Sequence, residues 1–281
     1  MPNPLKIRNS TFSWGMRTYI MGVLNVTPDS FSDGGNFNTV DAALSQAELM
    51  IDAGVDIIDI GGQSTKPGAE QVSLAEEINR VIPVLQAIRP ITNLAISVDT
   101  TRAEVAKAAI KAGADIINDI SGGTFEPEIL KIVAEAGIPI IIMHIRGTPQ
   151  TMQQQNNTDY EDVIAEIISF LSEQIRKAVE IGIKREKIII DPGIGFAKKY
   201  EQNLEIFRRL PELQTLNCPI LVGASRKSFI GRILNESDPK KRVWGTAAAC
   251  CAAIFNGANL IRVHDVKEMR DVTLVADAIA R

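Results

Sequence analysis

Eight polar or glycine-rich segments follow short apolar runs in this chain, and their side chains are of the kinds that bind and transform small molecules. They begin Asn25-Val-Thr-Pro, Gly61-Gly-Gln63-Ser-Thr65-Lys66-Pro67-Gly, Asp99-Thr-Thr-Arg, Asn118-Asp119, Met143-His144-Ile-Arg146, Asp191-Pro-Gly-Ile-Gly-Phe196, Gly223-Ala-Ser225-Arg-Lys227-Ser228 and Arg262-Val-His264-Asp265. The Ser225–Ser228 segment opens a helix, where backbone N–H groups and two cations favour an anion. Arg262 stays charged at any working pH and offers a planar fork suited to phosphate oxygens. His144 and His264 could suggest a zinc pair, but no third ligand stands at a suitable spacing, so His144 is expected to be a structural histidine with its ring satisfied.

The elements that must carry these segments repeat. Ala53-Gly-Val-Asp-Ile-Ile, Ala112-Gly-Ala-Asp-Ile-Ile, Ala136-Gly-Ile-Pro-Ile-Ile and Asn256-Gly-Ala-Asn-Leu-Ile each read as a helix end followed by a strand. The Gly supplies the left-handed residue that stops the helix, and the Ile/Val run is a strand buried on both faces. Strands are expected over Tyr19–Leu24, Asp56–Ile60, Leu94–Val98, Asp115–Asn118, Ile138–Met143, Lys187–Ile190, Ile220–Val222 and Asn259–Val263. Their spacing averages about 34 residues, close to a strand plus a crossover helix. Thr39–Ala53, Leu74–Arg89, Arg102–Ala112, Tyr160–Ile181 and Asn203–Leu210 show helical spacing of apolar positions. The expected architecture is an α/β fold, a (β/α)8 TIM barrel forming a single domain over residues 1–281. An open doubly wound sheet uses the same alternation but fewer strands for this length. Residues 5–14, with a turn at Asn9-Ser10, are expected to form a short N-terminal hairpin that plugs the barrel bottom. All eight polar segments then fall at the C-terminal strand ends, where such barrels carry their sites, while the opposite loops are short and plain. That asymmetry points to a small-molecule enzyme rather than a scaffold.

Composition narrows the partners. The 281 residues are 45% hydrophobic and 23% charged, with a mean hydropathy of +0.05, as in an ordinary globular protein. A formal charge of −4 leaves no surplus of cations for a phosphate backbone, so nucleic acid is not an expected partner. The longest nearly unbroken apolar run, Gly245 to Phe255, is far short of the ~20 residues of a membrane span, and no membrane association is expected. The opening Met-Pro-Asn-Pro-Leu-Lys-Ile-Arg-Asn-Ser has no export or organelle signal, and a cytoplasmic location is expected. Cys218, Cys250 and Cys251 have neither disulfide nor metal spacing and are expected to fill core positions in a reducing compartment.

Met21-Gly-Val-Leu-Asn-Val-Thr-Pro-Asp-Ser-Phe-Ser-Asp-Gly-Gly, Asp99-Thr, Asn118-Asp119-Ile-Ser-Gly-Gly, Asp191-Pro-Gly-Ile-Gly-Phe, Ser225-Arg-Lys-Ser and Arg262-Val-His264, in this order from about Tyr19 to the carboxyl end, closely resemble the dihydropteroate synthase family. The resemblance implies a (β/α)8 fold, 6-hydroxymethyl-7,8-dihydropterin diphosphate as donor, p-aminobenzoate as acceptor, a Mg²⁺ requirement and a homodimer. The product would be 7,8-dihydropteroate, an intermediate of folate synthesis.

The family assigns roles to the matching residues. Asp191, Asn118 and Asp99 would hold the pterin edge and ring nitrogens, with Lys227 on the ring carbonyl side and Met143 and Phe196 as apolar neighbours. A carboxylate and an amide are complementary to the side-by-side donors and acceptors of that edge. Asp99 would also stabilise positive charge on the pterin methylene as the C–O bond breaks, and Asp99, Lys227 and Arg262 are the expected catalytic residues. Arg262, His264 and a Mg²⁺ held by Asn25 would take the diphosphate, separating a head site from a tail site. Phe31, Thr65, Pro67 and Ser228 would form the acceptor pocket under loops that close. Gln63 stands where the family usually has Glu, and Lys66 where Arg is common. Two other readings are a methyltetrahydrofolate:corrinoid methyltransferase, which should lack the Asn25-Val-Thr-Pro-Asp-Ser-Phe and Ser-Arg-Lys-Ser segments, and a non-catalytic pterin-binding protein, which should have lost Asp99, Lys227 and Arg262.

Overall fold

The structure, a computed structural model, describes residues 2–27 and 36–281, with the side chains of 36–39 left aside. The expectation for Phe31, and for most of the loop after Asn25, lies outside the described residues.

β1 (Leu5–Ile7) and β2 (Ser10–Phe12) form an antiparallel hairpin. Then come β3 (Tyr19–Asn25), β4 (Ile57–Gly61), β5 (Ala95–Asp99), β6 (Ile116–Asp119), β7 (Ile140–Met143), β8 (Ile188–Asp191), β9 (Leu221–Val222) and β10 (Leu260–Val263). These are parallel and lie in the order β8-β7-β6-β5-β4-β3-β10-β9, and a bridge from Ile190 to Ile220 joins the two ends into a closed barrel. The helices are α1 (Asn36–Asp52), α2 (Leu74–Ile88), α3 (Ala103–Ala112), α4 (Glu128–Ala136), α5 (Gln155–Thr158), α6 (Val163–Ile181), α7 (Tyr200–Arg209), α8 (Ser228–Leu234), α9 (Val243–Phe255) and α10 (Val266–Ala280). Gly54, Gly113, Gly137 and Gly257, the glycines of the repeated phrase, all have positive φ, which is why each helix stops there.

Most strands read in sequence as largely apolar runs, but the pleat divides them. Ile20, Ile58, Ile60, Ile96 and Val98 face outward into the core shared with the helices. Met21, Ile57, Ala95, Ile116 and Ile189 face inward and pack against Leu5, Ile7, Phe12 and Trp14, so the hairpin plugs the barrel as expected. The same inward parity, followed up the strands, ends at Asn25, Gly61, Asp99, Asn118, Met143, Asp191, Gly223 and Arg262.

The strand boundaries shift by about a residue from those expected. Asp56 and Asp115 do not begin strands but serve as anchors below them: Asp56 accepts from the Ile20 N–H at 2.8 Å and from both Nη atoms of Arg17, and Asp115 accepts from the Ile96 N–H at 2.9 Å and from Arg8 and Arg89. At the other end Asn25, Asp99 and Asp191 are the last residues of strands rather than the first of loops, so the sheet itself fixes their direction. Among the described residues no helix is long and apolar enough to cross a membrane.

Phe12 is 1% exposed, with its ring 4.8 Å from Tyr19 and 5.7 Å from Trp14. Phe12→Ala should therefore cost about 3–5 kcal/mol in denaturant unfolding, as a cavity in a fixed core does. A loss below about 1 kcal/mol would mean that the hairpin is not part of the cooperative core.

Candidate active site

At the mouth one cation lies between two acids. Arg262 on β10 donates from Nε to Asp59 Oδ2 of β4 at 2.7 Å and from Nη2 to Asp99 Oδ2 of β5 at 2.8 Å. Asn118 on β6 donates from Nδ2 to the same Asp59 oxygen at 3.1 Å. Asp191 on β8 uses Oδ1 to accept the Gly193 N–H at 2.7 Å, an Asx turn that starts the following loop. A Cβ built on Gly223 would lie 3.9 Å from both Asp191 Oδ2 and Arg262 Cβ, so this glycine leaves a slot between them. Met143, Phe196 and Ile120 form an apolar patch at the mouth, and Lys227 Nζ sits 4.2 Å from the Phe196 ring centroid. Acceptors, cations and an apolar patch thus stand together at the C-terminal end of the barrel.

Burial sets the electrostatics. It pushes the Asp99 carboxyl up to about 7; Arg262 opposes the shift, and the carboxylates of Asp59, Glu77 and Asp119 add to it. Burial also raises Asp191, opposed by the Gly193 N–H and by the charges of Lys227, Lys198 and Arg262. Lys227 is driven down to about 8 by desolvation, with Asp191 working against it. Around the mouth, the carboxyl groups of Asp59, Asp99 and Asp191 thus stand among three basic groups, Arg262, Lys227 and Lys198, the last also lowered by burial, to about 7.

A second set of side chains holds the loops that carry these groups. Asp119 accepts from the Ser121 N–H, the Ser121 hydroxyl and the Gly123 N–H at 2.7–2.8 Å, tying down the turn after Asn118. Glu77 on α2 accepts from Thr100 at 2.7 Å and from Arg102 at 3.0 Å, while Arg102 also donates to the Val72 carbonyl, so the loops after β4 and β5 are held together. Asn203 on α7 accepts the Gly195 N–H at 2.6 Å. Arg242 donates to the carbonyls of Arg226, Glu236 and Ser237 and fixes the turn that precedes Lys227.

Asp99, Asn118, Met143, Asp191, Phe196, Lys227 and Arg262 are brought together as expected from their strand ends. Asn25 joins them on the inward parity, with its Oδ1 3.6 Å from where a Gly61 Cβ would stand. Thr65 shares a cleft with Gln63, Glu77, Asp99 and Thr100. Pro67 and Ser228 are exposed. His264 hydrogen-bonds through Nδ1 with Ser225 Oγ at 3.0 Å, and burial keeps it neutral by pushing its pKa to about 3. It can therefore offer a phosphate a neutral hydrogen bond but no charge in the free protein. Asp59 accepts from both Arg262 and Asn118 through one oxygen, so residues expected at the tail site and at the head site share a partner.

Two site residues carry no mark in the sequence. Asp59 stands inside Ile57-Ile-Asp-Ile, where only the inward parity two residues below the mouth reveals it. Lys198 is buried and donates toward His144 Nδ1 at 3.0 Å and the Phe196 carbonyl at 2.8 Å, pinning the loop that bears Phe196 against the end of β7. His144 is thus the satisfied histidine that was expected.

A family model described as pterin binding enzyme matches residues 21–264. A dihydropteroate synthase from Synechocystis is 59% identical over 280 residues, covering 100% of this chain and 96% of that protein. A crystal structure of the Yersinia pestis dihydropteroate synthase with a sulfonamide drug superposes with a TM-score of 0.91 at 42% identity, covering 99% of each chain. The Xanthomonas albilineans dihydropteroate synthase in complex with 7,8-dihydropteroate does so with a TM-score of 0.88 at 38% identity, covering 99% of this chain and 98% of that one.

Asp99 should titrate near neutrality when its carboxyl carbon is followed by NMR against pH. Arg262→Gln removes the charge that favours the carboxylate, so the titration should move up. Because the native value lies above that of the unfolded chain, ionising Asp99 costs native stability as pH rises from about 4 through about 7. A midpoint near about 4 in the unsubstituted protein would mean that Asp99 is a solvated carboxylate and not part of a buried cluster.

Proposed function

The chain belongs to the pterin binding enzymes and, within them, to the dihydropteroate synthases, and we propose a division of labour among its mouth residues for that reaction. The reaction joins 6-hydroxymethyl-7,8-dihydropterin diphosphate to p-aminobenzoate in folate biosynthesis, giving 7,8-dihydropteroate and diphosphate. The observation that carries the assignment is the mouth cluster: buried acceptors on β6 and β8, a glycine slot beside Asp191, and Asp99 paired with Arg262. Asp191 and Asn118 take the amino-pyrimidinone edge, Lys227 takes the ring carbonyl side, and Met143 and Phe196 lie against the ring. The C–O bond to diphosphate breaks with its electron pair on the leaving oxygen, and positive charge is left on the pterin methylene. Asp99 faces that charge as a carboxylate and lowers the barrier to forming it. The amine of p-aminobenzoate then forms the C–N bond and sheds a proton. Thr65 and Pro67, together with Phe31 and Ser228, are the acceptor-side residues. Sulfonamides resemble p-aminobenzoate and should compete there.

The leaving diphosphate needs cations that the mouth does not have in surplus. Arg262 is already shared by two carboxylates, and His264 is neutral. Mg²⁺ fits this deficit: it takes few protein ligands, and Asn25 offers an amide oxygen beside Gly61 and near the Asp99 carboxyl. When bound it supplies charge to the diphosphate oxygens, while the residues of the chain orient the pterin and the acceptor.

The protein is proposed to act as a homodimer in the cytoplasm. Ile233 and Leu234 on α8, Trp244 and Phe255 on α9, and Leu274, Val275 and Ile279 on α10 are exposed apolar residues on three consecutive helices, and a second copy of the chain would cover them. Three free cysteines suit a reducing compartment. Sedimentation equilibrium should give a dimer that Trp244→Glu weakens; an unsubstituted monomer would refute this.

The decisive assay is diphosphate release dependent on p-aminobenzoate. Asp99→Asn should lower turnover by about 10² or more with a smaller change in substrate binding. Asn25→Ala should abolish the gain in affinity that Mg²⁺ gives the diphosphate ester and leave phosphate-free pterin binding intact, whereas Asp191→Ala should weaken both ligands. Release without the acceptor, or normal turnover in Asp99→Asn, would overturn the assignment.

A further inference from the structure

Asp59 is the deepest ionisable group of the mouth. It is fully buried on β4, two residues below Gly61 and level with Ser97 of β5. One of its oxygens, Oδ2, receives both Arg262 Nε and Asn118 Nδ2. The other, Oδ1, is buried without a partner, and so is Ser97 Oγ across the ladder. Orphaned acceptors and hydroxyls at facing positions in a barrel interior are the situation an internal water resolves.

A side-chain amide has a donor end and an acceptor end, and which end faces a ligand depends on what holds the other. With Nδ2 given to the Asp59 carboxylate, the Asn118 oxygen is the end left for a ligand. Arg262 is similarly fixed, since its Nε edge is taken by Asp59 and Nη2 by Asp99.

We infer that Asp59 is a positioning residue for pterin recognition: its Oδ2 sets the amide of Asn118 so that the oxygen selects an N–H donor on the ligand, it sets the plane of Arg262, and its Oδ1 shares an internal water with Ser97. This rests on the reading that Asn118 and Asp191 hold the pterin edge, and it adds why the Asn118 amide points one way. Asp59 itself touches no ligand.

The test is calorimetric binding of phosphate-free dihydropterin to the unsubstituted protein, Asp59→Leu, Asp59→Asn, Asn118→Ala and the Asp59→Leu/Asn118→Ala double variant. Asp59→Leu removes the acceptor and should weaken binding about tenfold or more, with no further loss in the double variant beyond Asn118→Ala alone. Asp59→Asn keeps an acceptor oxygen and should recover most of the affinity. It should also move the acid limb of kcat/KM to lower pH, because a carboxylate that holds the Asp99 proton is gone while Arg262, Lys227, Glu77 and Asp119 remain around it. A purely structural loss would lower activity without moving that limb. If Asp59→Leu does not fold, the Asn118 side-chain NH₂ of the unsubstituted protein, identified by its absence in Asn118→Ala, should exchange slowly with solvent and shift in Asp59→Asn. Binding of Asp59→Leu within about twofold of the unsubstituted protein, losses that multiply in the double variant, or a rapidly exchanging NH₂ would overturn the inference. Full pterin binding by Asn118→Ala would instead overturn the reading of the pterin site on which it depends.

Discussion

A guanidinium enclosed by two carboxylates inside a barrel imposes conditions on everything around it. Taking three charges out of water is costly, and the cost is met only if each charge keeps its partners. Arg262, Asp59 and Asp99 come from β10, β4 and β5, so their contact requires the sheet to be closed and in register between Met21–Arg262, Val23–Asp59 and Asp59–Ser97. A slip of one residue in β4 would turn Asp59 outward into the helix-facing core and leave Arg262 half-paired. The apolar layers below, sealed by the hairpin, fix that register, so the stability of the lower barrel and the geometry of the mouth are one problem.

The upper half of the barrel is held differently. There the loops are tied by polar side chains on neighbouring elements: Glu77 to Thr100 and Arg102, Asp119 to its own turn, Asn203 to Gly195, and Arg242 to the turn before Lys227. None of these residues points at the cluster from a strand end. Each satisfies backbone or side-chain groups that an irregular loop would otherwise bury unpaired. Gly193 belongs to this set for a steric reason, since a Cβ there would come within 2.1 Å of the His144 carbonyl oxygen and its φ is +72°. The approach of the two loops that this permits brings Phe196 beside Met143.

The architecture was legible because its signals are local. A helix-stopping glycine followed by Ile or Val, repeated at regular spacing, fixes order and direction of the elements, and polar residues at the run ends fix which side is the mouth. α9 gave no helical period because Val243–Phe255 is apolar almost all round, and α8 is too short to have one. Strand-end residues such as Asp99, Asn118 and Asp191 could be read for the same local reason. Asp59 and Lys198 could not, because their partners are distant in sequence or come from another strand: Asp59 and Arg262 are 203 residues apart, and Lys198 and His144 are 54 apart. Pairings at that range are products of barrel closure. The neutrality of His264 was hidden likewise, since its cause is burial and not sequence.

The charge balance of the mouth bears on how it handles a reaction that creates charge. On the proposed reading, the free site holds carboxylates as well as cations, so the diphosphate tail would draw on an added cation. The pterin head, on that reading, is held by hydrogen bonds to Asp191, Asn118 and Lys227. Asp99 is the exception to the balance: burial and three nearby carboxylates raise its proton affinity against the pull of Arg262. A carboxylate held in that condition gains more from a positive charge arising beside it than a solvated one would, because no shell of water must be rearranged first. In the proposed role, the unfavourable setting of Asp99 in the free protein and its suitability for facing a pterin cation would be the same property, and Arg262, which opposes the rise, would keep the carboxylate form present for it to be used.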